Sequence, residues 1–496
     1  MRKALSRRSF LHTYLLLGVA AGASQKGSRI RAPRNQPVKH GAGIDAAEST
    51  PIQSIKEQEL FRLRVVSLNV WALPIVSKDT PARLAAIVRR LAELNADIVG
   101  LQEAWMEEAR QSIIDDAREA SDLRHHYYFK PGIRDSGLLI LSRFPIREVG
   151  FHRFRLSGRP ERLAEAEYVA GKGIGYVRLQ TPVSEVDVYN FHLLAQYTTD
   201  EQDPYRAHRT AAAYEMVKFV SSQSRERNPV LLLGDLNMRP DQLGYKILTC
   251  TGGFRDSYLS VNPENAGHTI SGLNPYTRDE DLKRIDYIFT KDGTSVGLNA
   301  VMSRVIMDER PPVVDGRELA AYSDHYGVLS EIELFPRSSP GDAAEGRCGP
   351  ASAIWTEFLS YIDAALQEAR IRQMGHHVKG LGGAVAAPGL YFFGRGLKSL
   401  ATARNAPTAD TAVAPTEENP DQGGDELNGI DSRRQMPLRR RVFLARLVQG
   451  IAVAVMTPYA MLHGWLGLWI VPDEIRELEA IRDELLLQTG VGHGGR

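Results

Sequence analysis

From residue 60 to 336, short apolar runs alternate with helical stretches, and six polar clusters sit where such a run closes or opens. Val66, Leu68 and Val70 alternate with Ser67 and Asn69, a period of two that predicts a strand over 63–70. The same reading predicts strands over 98–102, 137–142, 174–179, 186–192, 230–234, 285–289 and 328–333. Thr80-Pro81 offers a helix start, and Leu84, Ile87, Leu91 and Leu94 follow at helical spacing. A second helix is expected over 207–221. Many strands with few long helices argue for layered sheets rather than a doubly wound fold.

Outside this region the chain changes character. The first 44 residues carry nine basic side chains and no acidic one. A basic start, an apolar run from Phe10 to Ala23 and the small residues Ala21-Gly22-Ala23 give the layout of an export signal over 1–24. Ser6-Arg7-Arg8-Ser9-Phe10-Leu11 resembles a twin-arginine motif. That layout implies a periplasmic or extracellular protein. An arginine-rich organelle transit peptide, on an intracellular membrane protein, is the alternative. Residues 25–57 read as a flexible spacer. Residues 352–395 read as an amphipathic helix followed by a short apolar patch at Leu381–Phe393, and 401–435 as a disordered linker. In 438–490, an apolar segment and terminal helix, Gly450–Val471 has no charged residue and the length of a bilayer span, with Trp465 and Trp469 near its end. A buried core helix or hairpin would read alike.

Lys+Arg is 61 against Asp+Glu 60, so no bulk positive field is available to grip nucleic acid, and no nucleic-acid partner is expected. Cys250 and Cys348 are the only cysteines, enough for one bridge in an exported protein and too few for a Cys₄ zinc site. Protein partners leave no signature.

The six clusters are Ser67-Leu68-Asn69, Leu101-Gln102-Glu103, Asn190-Phe191-His192, Gly234-Asp235-Leu236-Asn237, Arg284-Ile285-Asp286-Tyr287 and Ser323-Asp324-His325. Each alone fits an Asx turn or a helix-terminal charge. Together they supply what hydrolysis around a hard cation needs. Asn69 and Glu103 offer oxygen ligands. Asp235 and Asn237, two apart, point to one side of an extended segment. His192 and His325 offer imidazoles for proton transfer near neutral pH.

These clusters resemble, in order, the active-site motifs of the endonuclease/exonuclease/phosphatase superfamily. Within it the likeness is to magnesium-dependent neutral sphingomyelinases and inositol phosphosphingolipid phospholipases C. It is carried also by Val70-Trp71, Ala104-Trp105, Ser142-Arg143-Phe144-Pro145-Ile146, Gly171-Lys172-Gly173, Ala195-Gln196-Tyr197 and Tyr205-Arg206-Ala207-His208-Arg209. The resemblance implies an α/β fold, a four-layer sandwich of two packed mixed β-sheets flanked by helices (DNase I-like), over 60–336, with a C-terminal helical, membrane-associated tail. It implies a phospholipase C acting on sphingomyelin or a related sphingolipid, with a nuclease or phosphatase of the same superfamily as the alternative. The cofactor it implies is Mg²⁺, with Mn²⁺ as a substitute.

Carried over residue by residue, Glu103, Asn69 and Asp324 lie at the metal, His325 is the general base and Asp286 orients it. Asp235 and Asn237 hold the water and a phosphate oxygen, His192 contacts the phosphate, and Lys172 lies in a loop linked to substrate. Phe191 and Leu194 depart from the family pattern, where a small hydroxyl residue and a second histidine are expected.

Overall fold

Strand β1 (Phe61–Asn69) shows why the chain forms layers: Leu63 and Val65 enter one buried cluster, while Val66 and Leu68 enter another. A strand buried on both faces must be covered on both. The computed structural model, which describes residues 61–130, 135–165, 167–168, 170–198, 202–277, 282–337, 350–403 and 438–489, meets that need with two sheets back to back. The expected export signal, the spacer and residues 404–435 of the expected linker lie outside the described residues.

The remaining strands are β2 (Ile98–Gln102), β3 (His125–Tyr128), β4 (Leu139–Ser142), β5 (Ile146–Arg153), β6 (Gly173–Gln180), β7 (Glu185–His192), β8 (Val230–Asp235), β9 (Arg255–Asp256), β10 (Asp286–Lys291), β11 (Val296–Ile306) and β12 (Gly327–Pro336). One sheet runs in the order β11-β12-β1-β2-β4-β3 and the other β5-β6-β7-β8-β10-β9. Each has one parallel pair, β1 with β2 and β7 with β8, and is otherwise antiparallel. Leu63, Val65, Ile98, Val188, Leu231 and Leu233 fill the space between the sheets. Each such side chain contributes about 1.5–3 kcal/mol by leaving water.

Helices cover the outer faces. Leu84, Ile87 and Leu91 of α1 (Thr80–Glu93), with Ile113 and Ala117 of α2 (Glu107–Ala120), pack on the first sheet. Ala212, Met216 and Val220 of α3 (Arg206–Gln223) pack on the second. The result is a four-layer α/β sandwich, as the resemblance implied. Thr80 is not the N-cap of α1. Asp79 takes that place with φ 49°, and its side chain makes no capping bond, forgoing roughly 1 kcal/mol.

The described chain divides near Tyr361. Helix α4 (Ala351–Ala403) begins in the first unit, where Phe358 packs edge-on against Tyr214 of α3, ring centroids 5.8 Å apart. The amphipathic stretch and the apolar patch at Leu381–Phe393 are thus one continuous helix. In the second unit α4 lies antiparallel to α5, which runs Leu438–Ile451, Ala452–Met456, Thr457–Trp465, Leu466–Ile470 and Val471–Thr489, with π turns in the second and fourth segments. Asp363 pairs with Arg482 and Arg372 with Glu474, both at 2.6 Å. Farther along, a methyl at Gly383 would come within 2.9 Å of Ala460 Cβ, so the two helices approach closely there. Val385, Phe392, Val453, Leu468 and Trp469 are exposed. The helix Val442–Thr489 is long and apolar enough to cross a membrane.

Candidate active site

The carboxyl ends of the parallel strands deliver the polar clusters to one place, the usual location of a site in an α/β sheet. Asn69 ends β1 in register with Gln102 of β2, and Glu103 follows with φ 60°. His192 ends β7 in register with Asp235 of β8, and Asp286 opens β10 opposite the same Asp235. His325 stands just before β12, which pairs with β1. Positive φ at Glu103 and at Asn237 (51°) costs of order 1–3 kcal/mol each, strain of the kind that collects at functional sites.

Asp235 is the hub. Its Oδ2 accepts from Asn69 Nδ2 and Asn237 Nδ2, both at 3.2 Å, and lies 3.4 Å from His192 Nε2 and 4.0 Å from His325 Nε2. Its Oδ1 accepts from the Asn237 backbone N–H at 2.9 Å. Burial alone would raise this carboxyl, but the His192 hydrogen bond and the charges of His325 and Lys172 hold it well below the usual carboxylate range. His325 Nδ1 lies 3.0 Å from Asp286 Oδ2. Burial works against a charged imidazole, yet Asp286, Asp235 and Asp324 together raise His325 well above an ordinary histidine.

Lys172 is buried. Its Nζ donates to Leu193 O at 2.8 Å and lies 3.1 Å from Glu167 Oε2 and 3.2 Å from His192 Nε2. Ala195 N–H and Tyr197 Oη donate to Glu167 Oε1 at 3.0 and 2.9 Å, so the Ala195-Gln196-Tyr197 stretch clamps the carboxylate that faces Lys172. Sequence reasoning missed Glu167, which sits in a loop without periodicity. It also missed a bridge behind the site. Gln102 of the first sheet donates to Asn190 of the second at 2.7 Å, and Asn190 donates to Leu101 O and Leu139 O.

The structure brings together all nine residues expected in the site. Asp324 joins the others through Ser323, whose hydroxyl donates to it at 3.3 Å. Burial pushes the Asp324 carboxyl up to about 7, opposed by His325 and reinforced by the nearby charge of Glu103. Glu103 lies 3.8 Å from His192 Nε2, and among the described residues its carboxylate accepts no hydrogen bond. Among the described residues Asn69 Oδ1 accepts only the Trp71 N–H, at 3.0 Å, and keeps a lone pair. Two carboxylates, Glu103 and Asp324, with an amide oxygen fit a hard divalent cation. A second set, Asp235, Asp286 and His325, also has donor atoms within 4.8 Å of one another. There, however, Asp235 is satisfied by amide donors and His325 Nδ1 by Asp286. Phe191 and Leu194, the two departures, are buried; Phe191 lies in the core beneath α3.

The chain is similar to known proteins over the region that forms the sandwich. The model of the endonuclease/exonuclease/phosphatase family matches residues 66–325. A putative neutral sphingomyelinase of Drosophila melanogaster is 33% identical over 288 residues, 56% of this chain and 63% of that one. Human sphingomyelin phosphodiesterase 2 is 33% identical over 289 residues, covering 56% and 66%. An inositol phosphosphingolipids phospholipase C of Schizosaccharomyces pombe is 30% identical over 304 residues, covering 55% and 68%. The match therefore spans somewhat less than two thirds of the first two relatives.

Proposed function

The chain belongs to the endonuclease/exonuclease/phosphatase family, and from that premise we propose that it is a Mg²⁺-dependent hydrolase of phospholipase C type. Its substrate is sphingomyelin or a related sphingolipid, cleaved to ceramide and a phosphorylated headgroup. The carrying observation is the His325–Asp286 pair, 3.0 Å apart, facing the Asp235, Asn237 and His192 cluster. The names of the relatives supply the lipid class.

Glu103, Asn69 and Asp324 would hold the cation. When bound, it neutralises charge on the phosphoryl and leaving oxygens. The chain's own groups do the rest. Asp286 fixes the tautomer of His325, so that in the neutral form of the ring Nε2 can take a proton from water as its oxygen attacks phosphorus. A bond from that oxygen to phosphorus forms, the bond to the ceramide oxygen breaks, and the latter oxygen takes a proton from solvent water to leave as the alcohol. Asn237 and His192 hold phosphate oxygens, and Lys172 adds positive charge beside them. Asp235 orients these donors without itself changing protonation, since it stays ionised throughout.

Helix Val442–Thr489 attaches the protein to the membrane that contains its substrate. The reading is tested by adding Mg²⁺ to the full chain with sphingomyelin vesicles and, in parallel, with supercoiled plasmid. Release of ceramide without nicking supports it; nicking without ceramide favours the nuclease alternative.

A further inference from the structure

The loop from Val70 to Asp79 holds three non-glycine residues at positive φ: Trp71 (47°), Ile75 (70°) and Asp79 (49°). Such a loop persists only if its surroundings enforce it. Arg83, fully buried, supplies that enforcement by donating to the carbonyls of Val70, Trp71, Lys78 and Tyr322. The loop presents Trp71 to Tyr276, ring centroids 5.1 Å apart and planes at 36°. Arg83 lies under both rings, 5.0 and 5.7 Å from their centroids.

Asp79 completes the group. Its carboxylate stands at the start of α1 but caps no backbone N–H; instead Oδ2 accepts from Tyr276 Oη at 3.2 Å. Asp79 is exposed and Tyr276 half-buried, while Trp71 backs them. Both halves of the group are tied to the catalytic motifs. Trp71 N–H donates to Asn69 Oδ1, while Tyr276 N–H donates to Asn274 Oδ1, whose amide in turn donates to Ser323 O at 2.8 Å.

We propose that Tyr276, Asp79 and Trp71 form the subsite for a cationic headgroup, and that the preferred substrate carries a quaternary ammonium such as choline. The proposal rests on the sphingolipid hydrolase reading and deepens it. Aromatic faces beside a carboxylate attract an ammonium by cation–π and charge together. A polyhydroxylated ring such as inositol calls for several hydrogen-bonding side chains, whereas besides the Trp71 indole N–H this group offers a phenol and a carboxylate already joined to each other. A purely structural role for Asp79 would be met more simply by capping α1.

The test measures kcat/KM of the full chain on detergent-dispersed sphingomyelin and on an inositol phosphosphingolipid. Wild type should favour the choline headgroup. Asp79→Asn and Tyr276→Leu should each lower the choline-to-inositol ratio about tenfold, whereas Tyr276→Phe, which keeps the ring, should hold it within about threefold. Ratios unchanged in both variants, or a wild-type preference for inositol, would overturn the subsite. If wild type hydrolyses neither lipid, the hydrolase reading fails and calorimetric titration decides the subsite alone. Phosphocholine binding about tenfold tighter than inorganic phosphate, with the gain lost in Asp79→Asn, sustains it; equal affinities overturn it.

Discussion

His325 Nδ1 lies 3.0 Å from Asp286 Oδ2, though the two residues come from different sheets: Asp286 opens β10, and His325 precedes β12. The pair therefore exists only when the sheets are packed. The imidazole, its tautomer set by that contact, presents Nε2 toward Asp235.

Residues that act as one unit are strongly non-additive when removed together. His325→Ala should lower kcat/KM by about 10²–10⁴-fold. The double variant with Asp286→Ala should be little worse. Losses that multiply would mean that Asp286 acts elsewhere, for instance on the cation within the Asp235–Asp286–His325 set.

Glu103 is partly exposed, and its carboxylate accepts no hydrogen bond among the described residues. Glu103→Gln and Asn69→Ala should both raise the Mg²⁺ concentration needed for half-maximal activity, with the melting temperature of the metal-free protein little changed. An unaltered Mg²⁺ dependence in Glu103→Gln would move the cation to the buried set.

Lys172 and Glu167 are both nearly inaccessible to solvent, with side chains 7% and 4% exposed. Removing one charge of a buried pair costs roughly 3–5 kcal/mol by stranding the other. Lys172→Ala should therefore lose both turnover and stability. Adding Glu167→Gln should restore the melting temperature but not the turnover. Recovery of both would reduce Lys172 to a structural charge.

The bond from Gln102 to Asn190 is one polar link between the sheets behind the site, and both side chains are fully buried. Asn190→Ala removes one acceptor of the Gln102 amide, which keeps Gly100 O at 3.1 Å, together with the donor to Leu101 O and Leu139 O, at a cost of about 1–3 kcal/mol, plus the void. Denaturant unfolding should show a fall of at least that lower value. No change would mean that water replaces the amide.

Most of the catalytic layers were legible in the sequence, and the gaps have one cause. The strands anticipated from apolar runs are the eight interior ones. The four not anticipated, β3, β5, β9 and β11, are the edge strands of the two sheets. An edge strand is covered less fully, so His125–Tyr128 and Ile146–Arg153 carry polar residues without clear alternation. Helix α2 escaped notice because only Ala109, Arg110, Ile113, Ile114 and Ala117 are buried, a stripe too narrow to show. The candidate site residues stood out in the sequence because polar clusters recur at its strand ends. Glu167, Arg83 and the bridging role of Asn190 did not, because burial of a polar group depends on partners distant in sequence.

Isotopic tracing of the cleaved bond tests the central claim most directly. The full chain is incubated with sphingomyelin vesicles and Mg²⁺ in ¹⁸O-labelled water, and both products are weighed by mass spectrometry. Activation of water by His325 for attack on phosphorus predicts labelled phosphocholine and unlabelled ceramide, formed only with the cation present. Release of free choline, label in ceramide, or equal turnover after chelation would contradict it.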